Sequence, residues 1–443
     1  MRVTGDEKMA DKVGDSGDGV KRKISNFVFW NQTRVFILAL SLTCLTLTQI
    51  NSQIFTFTVI CMDDLIVENQ MSNVTEPHWI EGTTEKSILF SATAIGALVG
   101  LIPSVPLLNR LGVRLTLSVC GLCSTLGTFF TPIAVSWSFY LVVVCRVLQG
   151  LGISVILTVL GVIPTSWSPK SEYSTYLAIL SCAWQFSNVI FMPISGILCD
   201  SEYGWRSIYY AFGVLTGFFY FIFYMFYTDA PGVHRSMRFG RMDQFPGWKF
   251  GIYHTSIIWT NLFERSSEFR CSIHWLYQAL PYALCAIYKF SAGKISDRIK
   301  FASDKTIYTF WLFSSIIGLS IGYCIMAWTT DRNIAFVAFA FAIVTSGLII
   351  MASVKCLAMR CQQHCHFAVS TVSFLSYCVQ FISPLGVGIM CPDNTPEQWS
   401  RAFLLITGIM ILTNAPFPFL TTQEAAEYTK HKKSPMGELS EKV

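Results

Sequence analysis

The sequence predicts an all-α membrane protein made of two six-helix bundles, with its seventh span abbreviated or missing. Of 443 residues, 52% are hydrophobic and only 13% are charged, against about a quarter charged in soluble domains, and the mean hydropathy is +0.48. Apolar runs recur with short polar breaks, and crossing a hydrocarbon core of about 30 Å takes about twenty such residues. The breaks carry basic and acidic residues in a biased pattern, as loops on opposite sides of a bilayer do. This composition leaves no room for a large soluble domain or a soluble enzyme. The net charge of +5, from 32 basic and 27 acidic residues, is too modest for a nucleic-acid binder, so the bilayer is the first partner.

Residues 1–35 are polar and form a cytoplasmic tail without a cleavable signal, so the first apolar run inserts as an anchor and stays. That run, 36–62, opens a first bundle over 36–228, continued by runs at 88–108, 113–133, 138–164, 175–199 and 206–227. Residues 229–250 form a basic cytoplasmic linker holding His234, Arg235, Arg238 and Arg241. The second bundle, 251–420, has clear runs at 276–293, 306–328, 334–356, 367–391 and 401–420, one fewer than the first. Residues 421–443 are a second cytoplasmic tail.

Orientation follows from the basic residues, which insertion retains on the cytoplasmic side. Lys21, Arg22, Lys23 and Arg34 precede the first run, Arg110 and Arg114 follow the second, and Lys294, Arg298, Lys300 and Lys305 gather between later runs. The loop from Asp63 to Glu85 is acidic instead, with Asp64, Glu68, Glu76 and Glu81. Both termini are therefore placed in the cytoplasm and this loop outside. It contains Asn73, Val74 and Thr75, a glycosylation acceptor pattern that works only on an outer or lumenal surface. The same pattern at Asn31 is expected to stay bare.

Termini on one side require an even number of crossings, and here the chain runs short. The linker and the loop at 294–305 both belong in the cytoplasm, so the stretch between them must cross twice. Gly251 to Phe263 covers about 20 Å at 1.5 Å per residue, and Glu264, Arg265, Glu268 and Arg270 then interrupt it. Burying those charges against lipid costs several kcal/mol. The seventh span is accordingly abbreviated, re-entrant or missing.

An internal echo supports a duplicated architecture. Asn109 to Arg114 (NRLGVR) follows the second run, and Gly293 to Arg298 (GKISDR) follows the eighth span, matching turns of the kind found in transporters built from repeats. Gly96, Gly100, Gly150, Gly152, Gly386 and Gly388 allow close helix approach, and Pro103, Pro106, Pro164, Pro193 and Pro384 allow bends. Most of the 15 cysteines, including Cys44, Cys120, Cys145, Cys182, Cys285 and Cys324, fall inside apolar runs and read as small buried hydrophobes. Cys361, His364, Cys365 and His366 match no paired zinc spacing, so no metal site is assigned. Phosphate-binding loops and nucleophile elbows are absent from the sequence, so no pump or hydrolase is read.

Arg146, Val147, Leu148, Gln149, Gly150, Leu151, Gly152 in the fourth run, Trp167, Ser168, Pro169 with Glu172, Pro193 to Gly196, Thr228 to Pro231, and Lys289 to Arg298 together resemble a known family. It is the anion:cation symporter family of the major facilitator superfamily, which includes sialin, the vesicular glutamate transporters and the sodium-dependent phosphate cotransporters. The resemblance runs from about Arg34 to Tyr428, dense in the first half and patchy in the second. It implies a two-bundle carrier that moves an anion by alternating access, coupled to sodium or protons and needing no cofactor. The chain departs from the family at Ile153, where an acidic residue is usual, and at Ser52, where an arginine falls. From Trp248 to Tyr282 it is shorter by about twenty residues, about one span.

Arg146 is the only Lys, Arg, Asp or Glu deep in the first six runs, and an ionisable group there is costly unless it meets a cavity or a partner. Its guanidinium fork matches carboxylate or phosphate oxygens, and by resemblance the family's anion contact falls on it. The alternative is that it snorkels or braces helices. Gln49, Asn51 and Gln53 stand in a polar stripe of the first run with Ser52, Thr48, Thr56 and Thr58, and could line the route or tie helices together. Gln149, Gln185 and Asn188 have the same double reading. The function expected is secondary active transport of phosphate or a small carboxylate by a monomer of the plasma, vesicle or lysosomal membrane. The alternative is a non-transporting relative that has lost its seventh span.

Overall fold

In the computed structural model the described residues are 33–62, 64–65, 79–80, 82–168, 173–227, 271–299, 302–361, 365–391 and 395–420. Both tails, Asn31, Asn73 and the whole seventh-span stretch lie outside them, as do the side chains of His364, Cys365 and His366. The described residues are helical with short connections. In chain order the helices are α1 (Thr33–Thr58), α2 (Thr83–Trp137), α3 (Phe139–Ile153), α4 (Ile156–Trp167), α5 (Tyr173–Ser181), α6 (Ala183–Cys199) and α7 (Gly204–Phe226). The second half contributes α8 (Cys271–Arg298), α9 (Asp304–Trp328), α10 (Arg332–Ser346), α11 (Leu348–Cys361), α12 (Cys365–Met390), α13 (Pro396–Asn414) and the short α14 (Phe417–Leu420).

Among the described residues, 9 helical stretches are long and apolar enough to cross a membrane. One of them, Glu85–Trp137, is a hairpin of two crossings. Its legs run into each other through Gly112 at φ 79 and ψ 178, a conformation that L side chains avoid, so glycine is what permits the tight reversal between Arg110 and Arg114. α8 is longer than a bilayer core requires, but carries Lys289, Lys294, Asp297 and Arg298, which is why its apolar character is weak. The remaining runs coincide with the predicted spans.

Three spans are interrupted near mid-membrane: α3/α4 at Ser154 and Val155, α5/α6 at Cys182, and α10/α11 at Gly347. Broken helices are tolerated at that depth only where neighbouring protein groups satisfy the freed backbone. At the first break the Tyr377 hydroxyl of α12 donates to the carbonyl of Ile153 at 2.6 Å. At the second, the amide of Gln185 turns to the carbonyl of Cys182, and the carbonyl of Ser181 accepts from Lys289 of α8.

The halves meet along two seams, α8 on α5 and α6, and α12 on α2 and α4. Thr158 and Ser370 share a hydrogen bond of 3.0 Å across the second seam. On the first, Asp297 accepts from the amides of Ser174 and Thr175 and from the Thr175 hydroxyl, at 3.2, 2.8 and 2.6 Å. A carboxylate on the first amides of α5 satisfies donors that the helix leaves unpaired and complements its dipole.

Two expectations need correction. Cys61, just after α1, and Cys199, at the end of α6, form a disulfide, and Cys120 and Cys324 are half-buried rather than core residues. A Cβ at Gly96 or Gly150 would collide with the backbone of Val147 or Thr93, so these two glycines do bring α2 and α3 together. Gly386 and Gly388, by contrast, have nothing within 4 Å of an added Cβ among the described residues and mark no close approach there.

Candidate functional site

α3 starts after Ser138, whose extended backbone ends α2, and it buries Arg146 two turns in. The close α2/α3 approach at Gly96 and Gly150 sets the backbone of α2 beside the arginine stem. Arg146 Nε donates to the carbonyl of Leu89 at 3.3 Å and NH2 to the Thr93 hydroxyl at 3.1 Å. NH1 donates to Gln149 Oε1 at 2.6 Å and to the carbonyl of Ser52 in α1 at 3.1 Å. The guanidinium carbon stands 5.2 Å from the centre of the Phe55 ring. At 1% exposure the side chain does not snorkel.

Every one of these partners is neutral. Among the described residues no carboxylate pairs with Arg146, so a full positive charge is held inside the first bundle by carbonyls, a hydroxyl, an amide and a ring face. Gln149 passes the network on through Nε2 to Thr128 at 3.1 Å. Removing its amide would leave both the arginine and Thr128 short of a partner.

The other predicted residues divide among separate settings. Asn51 donates to Ser124 and Thr216, each at 3.1 Å, and accepts from Thr216 at 3.4 Å, tying α1 to the second leg of α2 and to α7. Gln49 is buried, and Gln53 is partly exposed with its buried Oε1 unpartnered. Gln185 accepts from Lys289 at 2.9 Å, while Asn188 donates to the carbonyl of Trp184 at 2.8 Å and leaves Oδ1 buried without a partner. Ser52 contributes its carbonyl to Arg146, where the resembling family would place an arginine side chain. Ile153 is buried and offers only its carbonyl.

Lys289 is the residue that sequence reasoning passed over. It is fully buried at the seam between the halves. The signal was present, since it stands inside the apolar run 276–293 as Arg146 stands inside the fourth run. A cleft of about 470 Å³ lies elsewhere, between α1, α6 and α7, and is walled mainly by apolar side chains such as Leu47, Ile50, Phe186 and Phe219. None of the polar candidates lines it.

Two helical halves that meet along paired seams, and a buried guanidinium held among the described residues by neutral groups only, define a membrane carrier of the two-bundle type. A family model described as Major Facilitator Superfamily matches residues 41–313, and the chain belongs to that superfamily. Its relatives include sialin and sodium-dependent phosphate transport proteins. It is 21% identical to sialin of Ovis aries over 359 residues, covering 71% of each chain, and 22% identical to sialin of Homo sapiens over 357 residues, again 71% of each. Sodium-dependent phosphate transport protein 3 of Mus musculus is 32% identical over 131 residues, 30% of this chain and 27% of that protein. Among solved structures, the proton:xylose symporter XylE superposes with a TM-score of 0.68 at 10% identity, covering 89% of this chain and 97% of that one. A bacterial homolog of the human lysosomal transporter Spinster gives 0.59 at 14% identity, covering 87% and 96%. These likenesses concern the fold.

Proposed function

We propose that this chain is a secondary active carrier of a small oxyanion, phosphate or a small organic carboxylate, in which Arg146 is the anion contact of the first half. The observation that carries it is the Arg146 charge, buried to 1% exposure among neutral groups only. A desolvated cation without a counter-ion is expensive, and an anion in transit supplies the missing charge. A guanidinium suits this role because it stays ionised and its donors match two oxygens of one carboxylate or phosphate. Binding exchanges the carbonyls of Ser52 and Leu89 for the oxygens of the cargo.

Coupling is to sodium or protons. Ile153 stands where the resembling family has an acid, so no carboxylate at that place takes up and releases a proton. Neutral oxygens such as Gln53 Oε1, buried and unpartnered, are the kind of ligand that sodium accepts.

The orientation proposed places both termini in the cytoplasm. The Cys61–Cys199 disulfide supports it, because such bonds persist on the oxidising side of a membrane. It joins the segment after α1, which leads in sequence into the acidic loop with Asn73, to the end of α6. Occupied Asn73 on the same side would agree with this.

The test is uptake of labelled phosphate and of gluconate into vesicles carrying the full chain, with and without a sodium gradient. Arg146→Ala, inserted at the parent level, is expected to lose at least ten-fold in kcat/KM, and Arg146→Lys to recover part of it. Parent-level uptake by Arg146→Ala would leave the arginine as a helix brace only.

A further inference from the structure

The seam between α8 and the α5/α6 pair is built differently from the other helix contacts. Its contacts recur at four-residue steps on one face of α8. Asp297 caps α5, Gly293 packs on Ala178 so closely that a Cβ there would stand 2.7 Å from the alanine methyl, and Lys289 and Cys285 follow. Cys182 Sγ meets the carbonyl of Ala286 from the opposite side at 3.8 Å.

At the middle of this row the Lys289 ammonium donates to the carbonyl of Ser181 at 2.8 Å and to Gln185 Oε1 at 2.9 Å. Both acceptors belong to the first half, and both are neutral. Among the described residues no carboxylate reaches the ammonium, although its exposure is 0%. An ammonium has three donors, and these two bonds leave one. The stem is seated by the α10/α11 break, where a Cβ on Gly347 would stand 3.2 Å from Lys289 Cγ. One turn beyond Gln185 on α6, Asn188 Oδ1 is buried without a partner.

We propose that Lys289 is a second anion-contacting cation, contributed by the second half, which rests on Ser181 and Gln185 when its seam is closed and takes up an oxygen of a carboxylate or phosphate when the seam opens. The inference rests on the carrier reading above. When α8 draws away from α5 and α6, both acceptors leave with the first half, and an ammonium stranded at that depth needs a new partner. The cargo oxyanion is the partner that alternating access brings there. Asn188 Oδ1 can accept from a hydroxyl on the same cargo, as hydrogen phosphate or a hydroxycarboxylate provides.

Binding is read apart from transport, as the rise in melting temperature of the purified full chain titrated with phosphate or gluconate at constant ionic strength. The parent is expected to be stabilised by at least one of the two anions, Lys289→Gln to bind it at least ten-fold more weakly, and Lys289→Arg to stay within three-fold of the parent. Equal binding by parent and Lys289→Gln overturns the assignment, and so does a parent that neither anion stabilises. Binding lost in Lys289→Gln by a chain that imports neither anion contradicts carriage while supporting the lysine contact. Should Lys289→Gln fail to fold, the parent is treated with an amine-reactive reagent and labelling is followed by peptide mass spectrometry. Either anion is expected to slow modification of Lys289 at least ten-fold without slowing Lys305, and modification unaffected by anion overturns the proposal.

Discussion

At the scale of single residues, one physical rule underlies the proposed division between groups that serve the cargo and groups that hold helices together. A polar side chain whose bonds are completed by protein groups of matching character braces the fold, and a charge completed only by neutral groups keeps an unmet demand. Asn51 is of the first kind, since its hydrogen bonds to Ser124 and Thr216 join three helices. Arg146 and Lys289 are of the second. Interhelical hydrogen bonds in membranes average about 0.6 kcal/mol each, so Asn51→Ala is expected to cost about 1 to 2 kcal/mol of stability. Thermal unfolding in detergent measures this, and KM for the carried anion should stay at the parent value. A changed KM with unchanged stability would move Asn51 from bracing into the route.

Arg146 was legible in the sequence because a lone ionisable residue in an apolar run stands out at any level of description. Lys289 carries the same signal, but it stands four residues from the end of the run 276–293, where a lysine reads as one of the basic residues gathered beyond it. The partition of the polar stripe was not legible at all. Gln49, Asn51 and Gln53 share one short segment of α1, yet only the packing of α2 and α7 decides that Asn51 finds hydroxyl partners while Gln53 Oε1 does not.

At the scale of helices, the site depends on how closely α2 and α3 approach. Gly150→Ala places a methyl group against the carbonyl of Thr93, and overpacking of this kind costs about 1 to 3 kcal/mol. It should also displace Leu89 and Thr93 from Arg146, so both melting temperature and anion affinity are expected to fall. Gly386→Ala meets nothing within 4 Å among the described residues and should not destabilise the fold, since alanine favours a helix over glycine. Equal effects of the two substitutions, measured by thermal unfolding, would contradict the packing assigned to α2 and α3. Both glycines look alike in the sequence, since each is a small residue in an apolar run. What distinguishes them among the described residues is whether a second helix lies opposite, and no local pattern records that.

The helix breaks belong to the same scale. Apolar runs mark where spans begin and end, and the chain's runs anticipated those of the described helices closely, including the reversal at Gly112. They did not mark the interruptions at Ser154, Cys182 and Gly347, because hydropathy is blind to whether a backbone carbonyl is bonded to its own helix or to Tyr377 or Lys289.

For the whole molecule, the pairing of Cys61 with Cys199 across a sequence separation of 138 fixes α1 to α6 on one face. The two cysteines stand at the ends of different apolar runs, and only the assembled bundle brings them together. Disulfides typically contribute about 2 to 4 kcal/mol, so Cys61→Ser is expected to lower the melting temperature clearly. Non-reducing peptide mapping should recover the linked fragments from the parent, and their absence would remove the support that the bond lends to orientation. The reversal at Gly112 was legible from the break between runs, but its expected counterpart at Gly293 to Arg298 is no turn: it forms the last helical turns of α8, where Gly293 packs on Ala178 and Asp297 caps α5. The basic linker and the seventh-span stretch after it, together with Glu264 and Glu268, lie outside the described residues.

The most direct measurement is therefore an experimental density map of the full chain in lipid with phosphate or gluconate bound. The account predicts anion density within hydrogen-bonding distance of the Arg146 guanidinium, about 3 Å. A map showing that guanidinium paired with Glu264 or Glu268, with the anion bound elsewhere, would contradict it.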